Sequence, residues 1–168
     1  VNENNSATCT CNVTVKDIQK PLLSGCPANI IKNTDTGSCG AIVTWVEPTA
    51  TDNCTSTGNL VWTKSHTSGA TFPVGTTTVT YTAADEAGNV SNTCSFNVII
   101  SDKQFPIASC LSPTIYLNTS GVATLTVSDV NNGSSDNCTP TNALIIKLSK
   151  TTFNCTNKGV NTVEMSVK

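Results

Sequence analysis

Apolar and polar residues alternate with a period of two in several stretches of this 168-residue chain. In Ala41-Ile-Val-Thr-Trp-Val46, Ile42, Thr44 and Val46 share one face and Val43 and Trp45 the other. In 76–83, Val79 and Tyr81 face one way, and Thr78, Thr80 and Thr82 the other. Side chains alternate across a strand but recur every 3.6 residues on a helix, so this patterning predicts strands. The runs that qualify are 28–33, 41–46, 59–65, 76–83 and 92–100, with a further set near 113–118, 122–128, 143–149 and 160–167. Turn formers stand between them, at Asp35-Thr-Gly37, Pro48 to Asn53, Ser68-Gly69, Pro73-Val-Gly75 and Asp85-Glu-Ala-Gly-Asn89. Short alternating strands punctuated this often predict an all-β, antiparallel sandwich. Trp45, mid-strand among apolar neighbours, is expected in its core.

A phrase occurs twice. Asp17-Ile-Gln-Lys-Pro21 leads into Cys26, and Asp102-Lys-Gln-Phe-Pro106 leads into Cys110, with the two aspartates 85 residues apart. The residues just before also align, Cys9 on Cys94, Asn12 on Asn97 and Val13 on Val98. Such a period is the length of one small domain and marks a tandem array. On this reading residues 1–18 hold the last strand (9–16) of a preceding repeat. Residues 19–102 are a complete repeat. Residues 103–168 are a truncated second repeat of related type, with no counterpart of the Tyr81–Asn89 stretch or of the Cys94 strand.

Charged residues make up 12% of the chain, there is no arginine, and the net charge is −2, which argues against a nucleic-acid partner. Nine cysteines accompany a single histidine, His66, with no Cys-x-x-Cys pair, so disulfides in an oxidising compartment fit better than a metal cluster. That places the chain outside the cell or on its surface. No run of 18 apolar residues offers a membrane span in this segment. Catalysis lacks its parts: His66 lies in a Ser/Thr-rich turn, there is no Gly-x-Ser-x-Gly elbow, and Glu47 and Asp52 flank a proline turn. The chain reads as non-enzymatic.

The stretch from Cys26 to Asp102 resembles a hyalin repeat, the HYR domain of the immunoglobulin-like superfamily. The resemblance rests on Cys26-Pro27 with Asn29-Ile30, Cys39-Gly40-Ala41, Val43-Thr44-Trp45 and Glu47-Pro-Thr-Ala-Thr-Asp-Asn-Cys54. It continues through Phe72-Pro-Val-Gly-Thr-Thr77, Val79-Thr-Tyr-Thr-Ala83, Asp85-Glu-Ala-Gly-Asn89 and Cys94-Ser-Phe96. The second repeat, through Gly121–Leu125, Ser135-Asp-Asn-Cys138 and Phe153-Asn-Cys155, is similar to repeats found beside such domains in giant surface adhesins of gliding Bacteroidota. The resemblance implies tandem immunoglobulin-like sandwiches in an adhesion or surface-filament protein.

Repeat logic then suggests disulfides Cys26–Cys94, Cys39–Cys54 and Cys138–Cys155, with Cys9, Cys11 and Cys110 unassigned, although sequence alone leaves many connectivities open. Asp17, Asp52, Asn53, Asp85, Asn89 and Asp102 sit at joints and turns and are candidate calcium ligands, since calcium takes carboxylate and carbonyl oxygens. The plainer reading of the same residues is as side-chain-to-backbone turn formers. No other cofactor is called for. Two functions compete: a structural spacer in a filament or adhesin, whose partners are its neighbouring repeats, or a module binding a surface glycan or protein through loops 52–58, 66–70 and 131–142. Those loops hold no aromatic or arginine anchor, which favours the spacer.

Overall fold

The computed structural model describes residues 6–168. In chain order the elements are β1 (Leu22–Ser24), β2 (Ile30–Asn33), β3 (Gly40–Ile42), β4 (Thr49–Thr51), β5 (Val61–Lys64), β6 (Thr71–Pro73), β7 (Gly75–Ala84), β8 (Cys94–Ser101), β9 (Val122–Thr124), α1 (Val127–Val130), β10 (Ile146–Leu148), β11 (Thr152–Asn154) and β12 (Met165–Val167). The fold is all-β and immunoglobulin-like, with one four-stranded sheet ordered β2-β8-β7-β5 and four two-stranded ladders. The described chain forms two compact units. One takes the residues up to Ala28 with Trp45–Ser68 and Thr78–Asn97; the other takes Asn29–Thr44, Gly69–Thr77 and Val98–Lys168. This division differs from a split at residue 102.

In the first unit β1 runs antiparallel to β4 and β5 antiparallel to β7. The alternation read from β7 is realised: Val79, Tyr81 and Ala83 are at most 1% exposed, while their neighbours Thr80 and Thr82 stay partly open. Ala50, Leu60 and Ala83 form a core, with Leu23 and Trp62 packed on it. Trp45 is half-buried. It stands edge-on to Phe96 at 5.3 Å and donates its indole N–H to the Tyr81 hydroxyl at 2.8 Å. Its backbone is not in a strand, because the Ser68 hydroxyl both accepts from the Trp45 N–H (2.8 Å) and donates to the Trp45 carbonyl (2.9 Å). One side chain thus satisfies both groups a ladder would have paired. The expected strand 41–46 therefore ends at Ile42.

In the second unit β3 pairs antiparallel with β6, bringing Gly40 against Phe72 so closely that a Cβ at Gly40 would lie 2.7 Å from the Phe72 carbonyl oxygen. β2 pairs with β8 in parallel, a departure from the antiparallel expectation. The cause is a tether. Cys26 and Cys94 are bonded, and four residues past each, Ile30 faces Val98. Two strands leaving a common bond in one direction can only pair parallel. Further along, Ala123, Leu125, Val130 and Phe153 form a second core, flanked by Ile115, Leu148, Val163 and Met165. A groove of about 680 Å³ opens beside it. The expected strand 122–128 stops at Thr124, because Thr126 starts the single turn of α1. The Asp129 carboxylate accepts from the Thr126 N–H and hydroxyl, both at 2.7 Å, which holds its pKa below the usual carboxylate value.

Neither 113–118 nor 9–16 forms a strand. A strand is made by its partner's hydrogen bonds. Val13 and Val15 are 79% and 89% exposed, and no neighbouring strand pairs with their segment.

Candidate functional site

Three acidic turns of the first unit converge. Asp17 makes a side-chain turn, its Oδ1 accepting from the Gln19 N–H at 3.0 Å. Asp52 follows β4, and its Oδ2 accepts from the N–H groups of Cys54 (3.0 Å) and Thr55 (2.9 Å). Asp85 follows β7 and is 5% exposed; its carboxylate accepts from the Asn89 N–H (2.7 Å) and side-chain amide (2.8 Å). The Asn89 amide also donates to the Asp17 carbonyl at 3.3 Å. One carboxylate oxygen from each of Asp17, Asp52 and Asp85 lies within 4.8 Å of the others. Asp17 Oδ2 and Asp52 Oδ1 are shut off from solvent with no hydrogen-bond partner.

The electrostatics fit a concentrated negative site. Burial opposes ionisation of Asp85, but hydrogen bonds from the Asn89 side chain and from the Asn89, Gly88 and Ala87 backbone hold its pKa below the usual value. Beside it, desolvation first and the Asp17 charge second push the Cys54 thiol up. The lysine pairs Lys32–Asp35 and Lys64–Glu47 engage other carboxylates. Two sequence candidates fall outside the cluster. The Asn53 amide turns to the Cys54 sulfur at 3.1 Å. Asp102 Oδ1 is already filled by the Gln104 N–H (3.0 Å) and the Thr34 hydroxyl (3.1 Å).

A second constellation lies in the other unit and centres on the turn 34–39. Gln104 grips it, accepting from the Gly37 N–H at 2.8 Å and donating to the Thr34 hydroxyl (3.0 Å) and the Asp35 carbonyl (3.1 Å). The Asn137 amide donates to the Ser38 carbonyl at 2.8 Å. Cys39 is bonded to Cys138, their Cα atoms 4.7 Å apart. The pairings Cys39–Cys54 and Cys138–Cys155 are therefore corrected: Cys54 and Cys155 are exposed free thiols, as are Cys9, Cys11 and Cys110. The reason is proximity. Gln104 and Asn137 hold residues from beyond position 102 on the very turn that ends in Cys39. The repeated Asp-Asn-Cys, at 52–54 and 136–138, was the signal in the sequence that marked Cys54 and Cys138 as equivalents.

Residues 16–100 match the family model described as the HYR domain, just over half of the chain. The chain belongs to the HYR family. The chain is 40% identical over 98 residues to hyalin of Strongylocentrotus purpuratus, covering 58% of this chain and 8% of that protein. It is 37% identical over 111 residues to hyalin of Lytechinus variegatus, covering 66% and 21%. It is 37% identical over 100 residues to the rat sushi, von Willebrand factor type A, EGF and pentraxin domain-containing protein 1, covering 57% and 3%. The chain thus spans under a quarter of each of these relatives. No solved structure matches it. HYR membership places the chain among adhesion-type modules of extracellular or cell-surface proteins, and the two disulfides are consistent with that setting. Among the described residues no helix is long and apolar enough to cross a membrane.

Proposed function

We propose that the chain is a non-catalytic structural stretch of a long surface filament or adhesin, in which HYR-type repeats follow one another and hold a binding tip away from the cell. In a gliding cell such a filament would carry grip to the substratum. The observation that carries this reading is the Cys26–Cys94 bond, which joins the start of the HYR repeat to its last strand across 68 residues. Tension entering near Pro21 and leaving near Asp102 passes through that covalent bond, so the residues between are shielded from extension. Single-molecule extension tests it. With the pulling handles attached at Pro21 and Asp102, adding reductant should lengthen the unfolding step of the repeat by roughly 230 Å, the reach of the 68 released residues. Identical steps with and without reductant would remove the basis for the reading.

We further propose that Asp17, Asp52 and Asp85 hold a calcium ion. Like charges this close repel unless a cation stands among them, and a buried carboxylate oxygen without a partner is destabilising. An all-oxygen donor set suits calcium, with turn carbonyls and water completing it. Asp17 lies ahead of the repeat body and Asp52 and Asp85 within it, so the ion would stiffen the entry to the repeat. Calcium added to chelator-treated protein should raise the melting temperature, approaching about 2.7 kcal/mol of stabilisation at a hundredfold excess over Kd. Asp52→Asn should remove most of that response, read as the calcium-induced shift rather than as the starting stability. A wild-type melting curve indifferent to millimolar calcium would refute the site.

A further inference from the structure

The geometry points to Cys54, Asn53 and Gln19 as a socket for a second turn of the Thr34–Cys39 type: we infer that Cys54 takes a disulfide from the cysteine ending such a turn, carried by a repeat on its N-terminal side. This rests on the tandem reading above.

The same socket is present twice, and one copy is filled. At Cys138, the Asn137 amide lies 3.2 Å from the sulfur, and Asp136 Oδ2 accepts from the N–H groups of Cys138 (2.9 Å) and Thr139 (2.8 Å). At Cys54 the corresponding distances are 3.1, 3.0 and 2.9 Å. A single 3-10 turn follows each, Thr57–Asn59 and Thr141–Ala143. The third member also recurs. The Gln19 N–H bonds Asp17 Oδ1, and the Gln104 N–H bonds Asp102 Oδ1, both at 3.0 Å.

In the filled copy, Gln104 grips the turn, Asn137 bonds the Ser38 carbonyl, and Cys138 closes the disulfide to Cys39. In the other copy Gln19, Asn53 and Cys54 are exposed, and Cys54 is a free thiol. The surface therefore fits a tight turn with backbone carbonyls for two amides and a terminal cysteine. Closure oxidises two thiols to one disulfide. The two electrons and two protons pass to a disulfide-bearing oxidant, which leaves as a dithiol. Repeated along an array, the bonds would link each repeat covalently to the next.

The test is a disulfide map of the protein as its host secretes it, alkylated without reduction. Trypsin alone leaves Cys39 and Cys54 together in residues 33–64, so a second cut after Trp45 is needed to separate them. A Cys54 peptide joined to a cysteine peptide from the N-terminal side supports the inference. Cys54 alkylated, capped by a small thiol, or joined to Cys39 overturns it. The 168-residue chain gives an independent arm. Cys138→Ser frees Cys39, which should then bond Cys54 of a second copy. Cys9, Cys11, Cys110 and Cys155 are replaced by serine throughout. Under a glutathione redox buffer the Cys138→Ser variant should form multimers carrying an intermolecular Cys39–Cys54 bond, seen by peptide mapping, and Cys54→Ser added to it should abolish them. Monomers holding an internal Cys39–Cys54 bond would overturn the proposal. An extension step that lengthens on reduction alongside a free Cys54 would keep the filament reading and reject the socket alone.

Discussion

With Cys26 and Cys94 both replaced by serine, the HYR repeat should melt on the order of 20 °C below the parent. The bond closes a loop across a sequence separation of 68, and on the chain-entropy account its loss returns roughly 4 kcal/mol of freedom to the unfolded chain. For a domain of this size each kcal/mol moves the melting temperature by about 4–8 °C. Packing enlarges the effect. Cys94 is 6% exposed in β8, so a serine hydroxyl there must be buried, and the tether that sets the parallel register of β2 on β8 is gone. Circular dichroism melts of parent, double variant and reduced parent check this. A loss under about 5 °C would mean that the unfolded chain stays compact without the bond.

Tyr81→Ala is expected to be nearly as severe, at about 3–5 kcal/mol. Tyr81 is 1% exposed in β7. Trp62 meets its ring edge-on at 6.2 Å, and its hydroxyl accepts from the Trp45 indole at 2.8 Å and reaches the Glu47 carboxylate at 3.4 Å. Truncation removes a large buried ring and orphans the Trp45 donor together. Tyr81→Phe separates the two, since it keeps the ring and drops the hydroxyl, and should cost only about 1 kcal/mol. Denaturant midpoints followed by tryptophan fluorescence give both numbers. Equal losses in the two variants would place the stabilisation in the hydrogen bond rather than in the packing.

The sequence was most informative where one residue's neighbours decide its place. Val79, Tyr81 and Ala83 alternate with threonines, and burial follows that pattern. It was least informative where a distant partner decides. Residues 9–16 are as strand-like as 94–101, yet only the second segment has a strand to bond. The parallel pairing of β2 is not written in the alternation of either strand; it goes with the Cys26–Cys94 bond, which repeat logic did suggest. The acidic residues were legible as turn formers, and the turns carry Asp17, Asp52, Asp85 and Asn89 to one place. Asp102 occupies the same position in the repeated phrase as Asp17. It is excluded because Thr34 supplies a partner. Of the three expected cysteine pairs Cys26–Cys94 is formed. The other two differ for a related reason, since treating each repeat as closed made Cys54 the natural mate for Cys39, while Gln104 and Asn137 deliver Cys138 instead.

That choice of mate sets an order of events during synthesis. As the chain emerges, Cys54 follows Cys39 by fifteen residues, whereas Cys138 follows by 99. The wrong thiol is therefore on offer long before the right one exists. Correct maturation requires Cys39 to stay reduced until the later segment arrives, or an early bond to be exchanged afterwards. An oxidant that works faster than the chain is delivered would trap the short loop, so the export route must either hold these thiols reduced or supply an isomerase.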